Sequence, residues 1–253
     1  MPYDMLFIIC PLIFIGGVLD AIVGSGALIT LPTYLAVGIP AHAAYGTNKF
    51  SSFVGSFAGA IKYIKNKAVD WRIIPIFGAF AIIGSHLGAR LSLAINETYL
   101  KYLLIAALPI LIIFLVIKGD FKEKPTENSE ISKTRFSILS IIFGLMLGVY
   151  GGVLGAGVAS FLILALTSIF KISTKSAIGN SRIFNCLIDL TAMINFLISG
   201  NVILWIAAPA AVCSILGNIV GASVALKTSE KIMKPLFIIV FAGLFIKLII
   251  DII

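Results

Sequence analysis

Apolar residues run along this chain in blocks of helical length, separated by short polar or glycine-rich stretches. A bilayer-spanning helix takes ~20 apolar residues, and blocks of that order fall at 5–23, 42–64, 72–95, 99–118, 136–155, 175–198, 203–226 and 233–250. Two shorter apolar stretches, 27–37 and 158–170, follow the breaks Gly24-Ser25-Gly26 and Gly155-Ala156-Gly157. The one long polar stretch, 119–135, reads as a solvated linker between a first half, 1–118, and a second, 136–253. The pattern predicts an all-α polytopic membrane protein.

The halves repeat each other. At an offset of 131, Gly24-Ser25-Gly26 falls on Gly155-Ala156-Gly157; at 133, AYGTNK (44–49) falls on AIGNSR (177–182). The second offset also places Gly84 on Gly217, Gly88 on Gly221, Ala89 on Ala222, Glu97 on Glu230 and Lys101 on Lys234. A nearly constant offset over several segments marks the halves as homologous. The loop after 42–64 carries Lys62, Lys65, Lys67 and Arg72, whereas its counterpart at 199–203 carries no basic residue. The loop at 96–101 carries Lys101 and its counterpart Lys227, Lys231 and Lys234. Matched loops of opposite bias are expected on opposite membrane faces, which predicts an inverted repeat. Inversion needs an odd number of crossings per half. It follows if 5–37 and 136–170 are each a hairpin turning at the glycine break, followed by three spans, with both termini outside. The five basic residues in or beside the linker, Lys118, Lys122, Lys124, Lys133 and Arg135, place it in the cytoplasm.

Composition narrows the classes. Of 253 residues, 60% are hydrophobic and 12% charged, far from the roughly 25% charged residues of soluble domains. The net charge of +8 comes from cations in loops between apolar blocks rather than from a basic stripe, so a nucleic-acid partner is excluded. The first block lacks a basic leader, Asp4 being its only early charge, and reads as a retained helix rather than a signal peptide. Cys10, Cys186 and Cys213 are scattered through apolar segments without a CxxC spacing, which argues against a disulfide framework or a zinc site. No phosphate loop, H-E-x-x-H or G-x-S-x-G pattern is present, and His42 and His86 are too few for a catalytic metal. No catalytic residue, metal or cofactor is expected.

The candidate chemistry is polar residues inside apolar blocks. Lys49 and its repeat mate Arg182 both lie seven or eight residues inside their blocks, where a cation costs about 2.5–3.5 kcal/mol on insertion scales. Each could snorkel to the interface. Each also sits among polar neighbours: Thr47, Asn48, Ser51 and Ser52 in the first half, Asn180, Ser181 and Asn185 in the second. Such clusters suit a hydrated anion site between the halves. The breaks at Gly24, Ser25 and Gly26 and at Gly155 and Gly157 would let backbone approach the substrate, since broken helices expose N–H groups that attract anions. Glycines at 55/59, 84/88 and 217/221 are expected to permit close helix packing. Asp189, opposite Ser56 in the repeat, either pairs with Arg182 two turns earlier or serves proton coupling; Asp20, opposite Gly151, raises the same question. His86 reads as a hydrogen-bonded core residue, and Arg90 as a snorkelling one.

The broken first helix, the Gly46-Thr47-Asn48-Lys49 segment followed by FVGSFAG (53–59), and the repeated half resemble the TauE/SafE sulfite exporter family, over nearly the whole chain. Where that resemblance leads one to expect an amide, this chain has Asp189. It implies a multi-pass permease in the plasma membrane of a prokaryote. Such a permease moves small sulfur-containing anions: sulfite, sulfoacetate or other organosulfonates. The expectation is a secondary transporter working by alternating access, with a passive anion channel or a carrier of a non-sulfur organic anion as alternatives. Its partners would be the small anion and the lipid bilayer; the sequence leaves open whether it pairs as a homodimer.

Overall fold

The computed structural model describes residues 4–100, 102, 103, 106 and 132–227. Most of the block at 99–118, nearly all of the linker and the block at 233–250 lie outside them. The described residues form helices and no strands. Helices α1 (Asp4–Val23), α2 (Ala27–Ala36), α3 (Ala41–Lys65) and α4 (Ile74–Ala94) make the first half. Helices α5 (Lys133–Val153), α6 (Val158–Ser168), α7 (Thr174–Ile198) and α8 (Leu204–Lys227) make the second. Five of them, α1, α4, α5, α7 and α8, are long and apolar enough to cross a membrane. With 25 residues, α3 has the length but carries the polar stretch around Lys49. A bundle of this kind can expose Phe7, Phe57, Ile83, Leu87, Ile142 and Ile198 on its outside because lipid rather than water covers them. This is a multi-pass membrane protein.

The short arms arise at the glycine breaks. Gly24 and Gly155 adopt φ of +78° and +73°, a left-handed turn that side chains rarely take. The chain therefore leaves α1 and α5 abruptly and folds back, with Gly26 seated against Gly16 and Asp20 of α1.

Packing crosses the two halves. The most extensive helix contacts are α4 with α5 and α1 with α8, and α3 lies against both α7 and α8. The α1–α8 contact is backbone to backbone: a Cβ at Gly17 would lie 3.2 Å from the Gly217 Cα, and one at Gly221 would strike Val18 and Ala21. At the α4–α5 crossing, Gly84 faces Leu145 and Val149, and Gly88 faces Val149 and Val153. Close approach of this sort gains dispersion contacts where lipid supplies no hydrophobic drive between helices. Gly55 and Gly59 instead receive the side chains of Ser214 and Asn218 from α8.

The α4–α5 crossing also decides His86. Because α4 turns Gly84, Ser85 and Gly88 inward, His86 is carried to the outside with Ile83 and Leu87. It is exposed, not a core residue, which corrects the sequence reading. Arg90, one turn further on, is exposed as well.

Two apolar clusters occupy the two ends of the α3–α7 pair. One gathers Ile9, Ile13, Tyr34, Tyr45, Phe196 and Ile206; the other gathers Tyr63, Phe77, Phe170, Ala177 and Phe184. Between them, α3 and α7 present their polar residues to each other.

Candidate functional site

The start of α3 lies beside the end of α7, and the start of α7 beside the end of α3. Two matched contacts fix this antiparallel pair. The Ile203 N–H, after α7, donates to Thr47 Oγ1 at 3.1 Å. The Asp70 N–H, after α3, donates to Asn180 Oδ1 at 2.8 Å, and Asn180 Nδ2 donates back to the Asp70 carbonyl at 2.9 Å. Thr47 and Asn180 are repeat mates, as are positions 70 and 203. Each half thus holds the connecting loop of the other. Outside the helices, Arg72 hydrogen-bonds the Asp70 carboxylate and holds it below the usual carboxylate range.

Inside, both cations turn inward. Lys49 is 2% exposed and Arg182 0%, so neither snorkels. Lys49 Nζ donates to Asp189 Oδ1 and to the Gly151 carbonyl, each at 2.7 Å. Its tip fills the space over Gly155, which has no Cβ to oppose it. The Arg182 guanidinium fills the equivalent space over Gly24 and lies 3.0 Å from Asp20 Oδ2. The cation of each half therefore sits on the glycine break of the other. Pairing of Asp189 with Arg182, one of the two readings open from the sequence, is corrected. Seven residues separate them by about 10 Å along one helix, and Lys49 arrives across the interface instead.

A continuous polar chain links the two pairs. Asn185 Nδ2 donates to Asp189 Oδ2 at 3.3 Å and to Ser56 Oγ at 3.1 Å. Ser56 Oγ in turn donates to Asp20 Oδ2 at 3.3 Å. The order from one cation to the other is Lys49, Asp189, Asn185, Ser56, Asp20, Arg182. Two positive and two negative charges balance within it, as buried ions require.

One member is unlike the rest. Among the described residues none accepts an aligned hydrogen bond from the three Arg182 nitrogens, although all three are buried and Asp20 is near enough for an ion pair. A guanidinium offers five N–H donors in a planar fork that matches an oxyanion. Leaving a buried donor unmade costs about 1–3 kcal/mol.

The remaining candidates divide. Lys49, Arg182, Asn185, Asp189 and Asp20 come together in the chain of contacts. Thr47 and Asn180 are spent on the loops, Ser181 on the Ile178 carbonyl of its own helix, and Asn48 on accepting from Thr30 Oγ1 at 2.5 Å. Ser25 is buried in the first break. Gly26 supports the α2 turn, and Gly157, with φ +72°, the α6 turn. Ser56 was named only as the mate of Asp189, yet it bridges Asn185 to Asp20. Thr30 and Tyr34 were missed altogether. They stand one helical turn apart on the short arm α2 and meet Asn48 and Ser51. Two polar residues at that spacing within an apolar arm were the available signal. Among the described residues no group of three or more His, Cys, Asp or Glu could hold a metal, and Cys10, Cys186 and Cys213 are free thiols.

Two helical halves, meeting on a buried and charge-balanced polar core inside an apolar exterior, define a polytopic membrane transporter. The chain belongs to the sulfite exporter TauE/SafE family, whose model matches residues 9–248. A probable membrane transporter protein of Haemophilus influenzae is 29% identical over 252 residues, covering 98% of this chain and 96% of that one. One from a Sinorhizobium species is 29% identical over 238 residues, covering 94% and 90%. The probable membrane transporter protein YfcA of Escherichia coli K12 is 26% identical over 257 residues, covering 98% and 94%. No solved structure matches the chain. The family is one of transporters, not enzymes.

Proposed function

We propose that this protein is a secondary transporter in the plasma membrane of a prokaryote, exporting a small sulfur-containing anion such as sulfite, sulfoacetate or another organosulfonate. The observation that carries this reading is Arg182, fully buried at the meeting of the halves with its donors unspent. An oxyanion that presents two oxygens side by side is the ligand that such a fork accepts best. The family match supports the sulfur oxyanion as its source.

The mechanism is alternating access between two inverted halves. Matched helices that run antiparallel, α3 against α7, support the inversion. The apolar clusters at each end of that pair support the alternation, since each is suited to close one side of the polar core while the other opens. Both clusters are packed, and Lys49, Arg182 and Asp189 between them are buried.

The test is reconstitution into vesicles with sulfite and sulfoacetate as probes. A carrier shows saturable uptake and counterflow, both abolished by Arg182→Ala. Flux that is unsaturable and shows no counterflow makes the protein a channel. Uptake of carboxylates with exclusion of all sulfonates and sulfite removes the sulfur specificity.

A further inference from the structure

The polar core is neutral as it stands, with Lys49 and Arg182 balanced by Asp189 and Asp20. A monovalent anion added to it would leave one negative charge uncompensated in a region of low dielectric, at a cost of several kcal/mol. Neutrality is kept if one carboxylate takes up a proton as the anion enters. The two carboxylates are unequally placed for this. Asp189 is held by charge-assisted and amide hydrogen bonds from Lys49 and Asn185 and its side chain is 4% exposed. Among the described residues Asp20 receives one side-chain hydrogen bond, from the Ser56 hydroxyl, faces a guanidinium that makes no aligned hydrogen bond to it, and is 13% exposed.

We propose that the anion and one proton enter together, the anion seating on Arg182 and the proton on Asp20. This rests on the reading of Arg182 as the group that receives the anion. The proton comes from hydronium or the buffer acid in the bulk solution, whose conjugate base stays there, and forms an O–H on the Asp20 carboxyl, leaving it neutral. Asp20 then releases the guanidinium, whose fork turns to the oxyanion. The Ser56 hydroxyl, now a donor to Asp20, reverses to accept. Lys49 and Asp189 stay paired throughout, and the core remains neutral with and without its cargo. The acids and bases facing Asp20 are Arg182 and Asp189 from α7 and, from α3, Tyr63 together with Lys49 behind Asp189. Neither α2 nor the described side chains of α8 bring an acid or base to this end of α1; the thiol of Cys213 lies beside Cys10, further along.

The experiment counts protons. Methanesulfonate, which keeps a single negative charge through the working pH range, is titrated into the purified protein by calorimetry in buffers of differing ionisation heat. The wild type should take up one proton per anion, and its affinity should fall up to about tenfold per pH unit where Asp20 must capture that proton from increasingly dilute supply. Asp20→Asn should bind without proton uptake and without that pH dependence, while the count per anion bound should stay at one in the double variant Lys49→Met/Asp189→Leu, which removes one charge of each sign and leaves Arg182 and Asp20 balanced. Wild-type binding with no proton uptake overturns the proposal, as does unchanged uptake in Asp20→Asn. Should Asp20→Asn not fold, infrared difference spectra decide. A carboxylic-acid C=O band that rises with methanesulfonate and persists in Lys49→Met/Asp189→Leu supports Asp20; its loss in that charge-neutral double variant overturns the assignment. A protein that binds none of methanesulfonate, sulfite and acetate overturns the anion reading itself, and the proton with it.

Discussion

Lys49, on the first half, donates a 2.7 Å hydrogen bond to Asp189, on the second, and both side chains are almost wholly buried. The bond ties α3 to α7 in the middle of the molecule, where both side chains are shielded from the outside. Removing one partner strands the other, a change that costs about 3–5 kcal/mol for buried pairs, whereas replacing both with apolar groups is often neutral.

Lys49→Met and Asp189→Leu are therefore each expected to lower thermal stability in detergent sharply, and the double variant to recover most of the loss. A double variant no more stable than the sum of the singles would mean that the pair is not coupled.

At Arg182 the expectation concerns ligand response. Thermal stabilisation of the wild type by methanesulfonate or sulfite should vanish in Arg182→Ala. It should weaken about tenfold or more in Arg182→Lys, because an ammonium cannot offer the bidentate fork. Equal responses in wild type and Arg182→Lys would show that charge alone is read.

Asn180 satisfies both the N–H and the carbonyl of Asp70. Asn180→Ala should destabilise by about 1–3 kcal/mol and speed amide exchange in the loop at 68–72. Thr47→Ala, which loses a single acceptor for the Ile203 N–H, should do the same at 201–203 to a smaller degree. Exchange that rises elsewhere but not in these loops would contradict the assignment.

Gly24 and Gly38 share a left-handed φ, +78° and +85°, but differ in surroundings. A Cβ at Gly38 meets open space, while one at Gly24 runs into Ala159 and the Arg182 guanidinium. Gly38→Ala should cost only the backbone term of about 1–2 kcal/mol. Gly24→Ala should cost more and also abolish the anion response of Arg182. Melting curves with and without methanesulfonate separate the two effects.

The helices were legible along the chain. Apolar blocks at 5–23, 42–64, 72–95, 136–155, 175–198 and 203–226 became α1, α3, α4, α5, α7 and α8 within a few residues, and the short arms became α2 and α6. Hydrophobic block length is a local property, and lipid makes it decisive by forbidding unsatisfied backbone. The repeat was legible for the same reason, since Gly24/Gly155 and Lys49/Arg182 keep their places relative to their own helices. Partnership was not. Asp189 looked equally suited to Arg182 on its own face, and His86 looked like a core residue, because sequence spacing says nothing of which helix packs alongside. That was decided by α3 crossing α7 and by α4 turning its glycines toward α5. Long-range packing, set by close glycine contacts and by the demand that every buried charge find an opposite, chose Lys49 for Asp189 and left Arg182 beside Asp20 with its donors unspent.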